Sequence, residues 1–249
     1  MASAALQQLP LWEERGVEAA WRVRRSERAR RLGVRVFHDG SVEVVVPPRA
    51  RPRDVQDFVA RHQAWIERQR QRVTPGAVTF PPERLELQAI GETWICRAVS
   101  APHLVREAAA VPGGGVLELN ASADRAALRS ALLSWLVARA AGAFPPLLAG
   151  LAAGFGCSYR QVQIRRQRTR WGSCSRRGTI SLNFCLLFHR PAVLRYLLAH
   201  ELAHLTHLSH GSRFWELVAR YEPQWRELDR ELTRGWQQVP GWLLAALRA

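Results

Sequence analysis

The segment "LLAHELAHLTHLSHGSRFW", residues 197 to 215, constrains this chain more than any other. His200 and His204 stand four residues apart, with Glu201 directly after the first. The run is otherwise apolar up to His204, and Pro191, a favoured first helical residue, opens it. On an α-helix a step of four puts two side chains on one face, one turn or about 5.4 Å apart. Two imidazole nitrogens can then meet one zinc ion at roughly 2.0–2.1 Å. Glu201, beside the first ligand, can reach an attacking water without binding the metal. In this His-Glu-x-x-His arrangement zinc acidifies the water and the glutamate takes its proton. A glutamate buried without a partner in so apolar a helix would otherwise be costly. The spacing therefore predicts one Zn2+ per chain and Glu201 as general base.

The third ligand must lie beyond the first turn pair. His207 shares the helix face, but at 1.5 Å per residue it sits about 10 Å along the axis from His200. His210 is better placed, because Ser209 and Gly211 flank it and a chain reversal there swings its ring back. Glu216 and Glu222 rank next, and His207 last. The 204-to-210 spacing matches metzincins, yet their turn glycine is replaced by His207. Their Met-turn is also excluded, since the only methionine is Met1.

Charge bears on partners. The net charge of +15 arises from 36 basic residues, all of them arginine, and suggests acidic partners such as nucleic acid or phosphates. No acidic residue occurs between Asp124 and Glu201, a stretch that carries twelve arginines, seven of them within residues 159 to 177. A second basic cluster is "WRVRRSERARR", residues 21 to 31. The start of the chain lacks the basic-then-apolar layout of a secretory signal. The four cysteines form no Cys-x-x-Cys pair, which fits a reducing cytoplasm. The most apolar run, residues 131 to 155, contains Arg139 and Pro145-Pro146 and reads as buried helices, so no membrane partner is expected.

The expected organisation is a loose tail over residues 1 to 18, a β-rich region over 19 to 119 and a second region over 120 to 249. Strands are predicted at 32 to 37 and 42 to 46 across an Asp-Gly turn. A helix follows near 52 to 72, where Val55, Phe58, Val59 and Ile66 have helical spacing. Further strands are predicted at 84 to 89, 93 to 99 and 116 to 119, with residues 112 to 115 as a turn. The second region begins with a long helical pattern after Asn120, and another helix ends at Gly154 or Gly156. Two strands, 161 to 169 and 178 to 183, flank a turn "WGSCSRRG" and lead into the histidine helix. Ser212 is placed to cap the next helix. No internal repeat is evident.

Two motifs together, "TRWGSCSRRGTISLNFCLLF" and residues 197 to 215, resemble the YgjP-like metallopeptidase domain, a family related to the SprT-like and WLM zinc proteases. The likeness includes Arg170 to Cys174, Phe214-Trp215 and Pro223, and reaches more loosely to Trp21. Ser209 stands where the family commonly has asparagine. The resemblance implies an α+β chain with a zincin-like fold, a small sheet packed on the active-site helix. It implies His200, His204 and His210 as ligands and Glu201 as base. It also implies that a substrate strand adds to the sheet edge formed by residues 161 to 183. Arg170 and Trp171 would then contact substrate or fix the loop.

The leading reading is a cytoplasmic zinc endopeptidase acting on protein or peptide, near nucleic acid if the arginine hairpin binds it. Tyr196, His207, Arg170 and Tyr221 are candidate oxyanion donors, and Cys174 is read as packing. A second reading uses the same site on a phosphoanhydride such as a nucleoside triphosphate, with arginine forks on the phosphates. A third is a nucleic-acid-binding module with a structural metal. It is disfavoured because structural sites have four protein ligands.

Overall fold

The computed structural model describes residues 21–37, 40–72 and 79–247. The tail expected over residues 1 to 18 lies outside them, as do His38 and Asp39 of the first predicted turn. The chain forms two compact units, Met1–Ala77 and Val78–Ala249.

In the first unit, alternating valines build a sheet. The strands are β1 (Trp21–Arg25), β2 (Gly33–Val36) and β3 (Val42–Val46), in the order β1-β3-β2. β1 runs parallel to β3 and β2 antiparallel to it. β1 was expected only as a basic cluster. Its Trp21 and Val23 pack against the core while Arg24 pairs with the buried Glu43 at 3.2 Å. Helix α1 (Pro52–Arg72) adds Val55 and Val59, one turn apart, to Val44 and Val46. Asp54 accepts from the Arg51 amide at 3.1 Å and secures the first turn.

The second unit opens with β4 (Arg84–Leu87), β5 (Glu92–Val99), β6 (Val105–Val111) and β7 (Gly114–Asn120), ordered β4-β5-β7-β6. β5 and β7 are parallel, and β6 and β7 form a hairpin. Of the turn predicted at 112 to 115, Gly114 and Gly115 open β7 and need to be glycine: a Cβ on Gly114 would lie 1.8 Å from the Thr93 carbonyl oxygen, and one on Gly115 1.9 Å from that of Ala109. The sequence placed this sheet with the N-terminal region, divided from the rest near residue 120. The compact units divide at Ala77/Val78. Leu85, Leu87, Trp94, Leu117 and Leu119 share one core with the helices that follow, and burying that face binds the sheet to them.

Helix α2 (Arg125–Phe155) is continuous, where two helices were expected. Asp124 caps it, accepting from the amides of Ala126 and Ala127 at 3.0 and 2.9 Å. Pro145 and Pro146 each remove a helical hydrogen bond. Buried Leu128, Leu132, Leu136, Ala140, Phe144, Leu148 and Ala152 recur every fourth residue on both sides of the pair, and that packing holds the helix through it. By length and composition α2 is the one helix among the described residues able to cross a bilayer. Here its apolar stripe lies in the core.

A second three-stranded sheet follows: β8 (Gln161–Arg165), β9 (Gly172–Cys174) and β10 (Thr179–Asn183), ordered β8-β10-β9. β8 is parallel to β10, and β9 is the antiparallel edge. Gly172–Cys174 of the predicted "WGSCSRRG" turn are therefore strand. A buried 3-10 turn, Phe184–Phe188, joins β10 to α3 (Pro191–Ala203). The chain continues through α4 (Ser212–Tyr221), α5 (Trp225–Arg234), a 3-10 turn at Gly235–Gln238 and α6 (Gly241–Ala246). The second unit is thus mixed α and β, with small sheets against helices.

Candidate metal centre

α3 carries the site. Pro191 starts it, and Val193, Leu194, Leu197, Leu198 and Leu202 bury it in the core. His200 falls in its last turn, and His204 is the residue that ends it, still in right-handed backbone geometry. The chain then turns: His207 N–H donates to the Ala203 carbonyl at 3.0 Å, and Gly211 N–H to that of Ser209 at 2.9 Å. Gly211, not Ser212, is the cap residue of α4, and no side chain bonds there. This reversal carries His210 back over the helix end.

One nitrogen from each of His200, His204 and His210 lies within 4.8 Å of the other two. The Nε2 atoms of His200 and His210 are 3.1 Å apart. His204 Nδ1 faces the His207 carbonyl oxygen at 3.0 Å; donating there, it keeps its Nε2 lone pair for the centre. The role of His207 at the site is through that carbonyl. Glu222 is engaged by Arg195 at 3.2 Å, and Glu216 is exposed. Neither joins the group of potential ligands found among the described residues. Burial, with the neighbouring His204 and His210, lowers the His200 pKa to about 3. Burial likewise lowers that of His204, opposed by the His207 carbonyl. The neutral ring is the form that ligates a metal. Three imidazoles, with no fourth protein donor among the described residues, fit a catalytic zinc set.

Phe214 and Trp215 form the aromatic surround. The Phe214 ring lies 4.9, 4.5 and 4.7 Å from those of His200, His204 and His210. Trp215 stacks on His210 and, at 4.3 Å, on Trp225. The sequence marked Phe214-Trp215 without giving the pair this role. Helical spacing after Ser212 could have suggested it.

Glu201 is 4 % exposed and points toward the sheet. Its Oε2 has no hydrogen-bond partner, and burial raises its pKa to about 8. The other oxygen lies against Gly172 at the start of β9. A Cβ there would sit 2.4 Å from Oε1, so only glycine lets the edge strand pass so close. The loop before β9 is clamped by buried Asn183. Its amide donates to the carbonyls of Gln167 and Arg170 at 2.6 and 2.8 Å, while its oxygen accepts from the Cys185 amide. Asn183 was not anticipated, because the carbonyls it clamps are more than ten residues away.

Trp171 is half-buried, stacked on Trp236 at 4.2 Å and edge-on to His189 at 4.6 Å. Arg170 is exposed. Tyr196, one of the expected oxyanion donors, is fully buried behind His200 and gives its hydroxyl to Asp229 at 2.7 Å. Tyr221 is stacked on Phe155 at 3.8 Å. Burial and the charge of Glu201 raise the Cys174 thiol pKa to about 11, and Cys174 is not among the gathered ligands. Arg160, Arg176 and Arg177 lie together at the β9–β10 turn, where the Arg160 amide donates to the Gly178 carbonyl at 2.8 Å. All three are exposed, and no carboxylate pairs with them among the described residues.

A family model described as "YgjP-like, metallopeptidase domain" matches residues 30–235. Among solved structures, the crystal structure of the metallopeptidase zymogen of Pyrococcus abyssi abylysin is similar, with 31% sequence identity and a TM-score of 0.34. The match covers 36% of this chain and 93% of that one. No curated protein matches the chain.

Proposed function

Because the chain belongs to the YgjP-like metallopeptidase domain family, and so is a metal-dependent peptidase by family, we propose that it is a zincin-like zinc endopeptidase served by His200, His204 and His210. The observation that carries this reading is the convergence of three ring nitrogens beside a buried carboxylate whose Oε2 has no partner. Zinc bound there would acidify the attacking water and polarise the scissile carbonyl. Glu201 takes the proton of that water and delivers it to the leaving amine. Its apolar surroundings suit both steps, since a carboxyl poised near neutrality accepts and returns a proton readily.

β9 is a sheet edge with only β10 beside it among the described residues. A substrate strand adding to that edge would pass Gly172 and Glu201. Arg170, exposed in the loop before β9, is the side chain we assign to meet substrate. Trp171, held by Trp236 and His189, fixes the loop. The arginines at the β9–β10 turn support work near a polyanion, and nucleic acid is the partner assigned to them. The same arginines favour a phosphoanhydride as the second reading.

A substrate panel separates the two. The purified zinc form is assayed on an unfolded protein, with and without DNA, and on nucleoside triphosphates. Cleavage of the protein, faster with DNA at low salt than at high salt, is the expected result. Release of phosphate without peptide cleavage would contradict the peptidase reading.

A further inference from the structure

The ring of His200 is held from behind. Tyr196 lies one helical turn before it on α3, and the two rings meet edge to face with centroids 5.9 Å apart. Tyr196 has no exposed surface. Its O–H donates to Asp229 Oδ1, on α5, at 2.7 Å. With that proton committed, the phenol oxygen faces His200 Nδ1 at 3.4 Å as an acceptor. Asp229 has no cationic side chain paired with it among the described residues, so its charge acts through the phenol.

We propose that Asp229 and Tyr196 are positioning residues for the metal centre: a carboxylate–phenol–imidazole relay that keeps the His200 proton on Nδ1 and its lone pair on Nε2. The inference rests on the three-histidine reading above and adds the control of its first ligand. The direction of each bond follows from the chemistry. A carboxylate only accepts, so the phenol must donate to Asp229. The phenol oxygen can then accept from Nδ1–H, and Nε2 is left bare toward His210. An ordinary second-sphere partner is a carboxylate or a backbone carbonyl, and His204 has the latter in His207. On the His200 side the carboxylate stands on a different helix, and the phenol bridges the gap. The relay also ties α5 to α3, so the geometry of the metal ligand depends on a helix that contributes no ligand of its own.

The test is zinc affinity, measured by competition with a chromophoric chelator, together with the imidazole 15N shifts of the metal-free protein. For Tyr196→Phe, which removes only the hydroxyl, a loss of about 10- to 100-fold in affinity is expected. The His200 shifts should move from one Nδ1–H tautomer toward a mixture. Asp229→Ala should weaken zinc less, and Tyr196→Phe/Asp229→Ala no more than Tyr196→Phe alone, because Asp229 acts only through the phenol. Wild-type affinity for Tyr196→Phe would overturn the relay, and so would losses that multiply in the double variant. If Tyr196→Phe does not fold, Asp229→Ala decides: a loss of several-fold supports the relay and no loss overturns it. Failure of the underlying ligand reading looks different, since His200→Ala would then bind zinc as tightly as the wild type.

Discussion

Two parts of the molecule share one plan and do different things. In the first unit β1 and β3 are parallel, β2 is the antiparallel edge, and helix α1 follows. In the second unit β8 and β10 are parallel, β9 is the antiparallel edge, and α3 follows after a 3-10 turn. The set β5, β7 and β6, followed by α2, repeats the same order. On α1 a step of four places Val55 and Val59 against a valine sheet. On α3 the same step places two imidazoles at a metal centre and leaves Glu201 beside the edge strand. The plan sets where side chains stand, and residue type decides whether the result is a core or a site.

The sharpest way to break this contrast is at Glu201. Glu201→Gln should keep zinc and lose about 10²- to 10⁴-fold in kcat, measured as peptide release. Retained activity would remove Glu201 as the base and leave α3 no more catalytic than α1.

Next comes the edge strand. Gly172→Ala puts a methyl 2.4 Å from Oε1 of Glu201, closer than the two can stand. Zinc affinity should be unchanged while kcat falls about 100-fold, as expected for a catalytic group displaced by about 1 Å. An unaltered kcat would mean that the carboxylate works from elsewhere.

His189, just before α3, sharpens the contrast through pH. It is 1 % exposed, and neither ring nitrogen has a partner. Burial, partly opposed by Glu231, lowers its pKa from 6.5 to about 4. As pH falls below 6.5 the unfolded imidazole takes up a proton first, so stability declines until about pH 4, below which both forms are charged. A shift of that size corresponds to roughly 3 kcal/mol. In denaturant melts, the stability lost between pH 7 and pH 4 should be larger in the wild type than in His189→Phe by this amount. Equal losses in the two proteins would contradict it.

The smallest expected effect lies in the first unit. Val44→Ala, in the fully buried centre of β3, should cost about 2 kcal/mol, read from amide exchange in β1 to β3. Peptidase turnover should stay at the wild-type level. A large drop in turnover would show that the valine sheet serves the chemistry.

Much of this was legible from residue spacing, because spacing is a local property. The runs 33–36, 42–46 and 52–72 follow from alternating valines and helical apolar positions. The histidine spacing and Ser209-His210-Gly211 anticipate the rings that the fold brings together. What was not legible depends on distant partners. β1 becomes a strand only by pairing with β3, and its arginine content hid the Trp21–Val23 alternation. β9 is three residues long and sits in a segment that reads as turn. α2 passes through two prolines because a stripe of buried side chains outweighs two lost hydrogen bonds. That the first sheet of the second unit shares a core with α2 and α3 was not legible, since shared burial leaves no mark at the junction near residue 120. Asn183 and Asp229 act on groups 13 to 33 residues away, and nothing in their neighbours signals it.

The most direct test is zinc-edge X-ray absorption on the zinc-loaded chain, with metal content measured on the same sample. Expected are one zinc per chain, three imidazole nitrogens at about 2.0–2.1 Å and one further light scatterer from solvent. A sulfur shell at about 2.3 Å, or an imidazole count that His210→Ala leaves unchanged, would contradict the three-histidine centre.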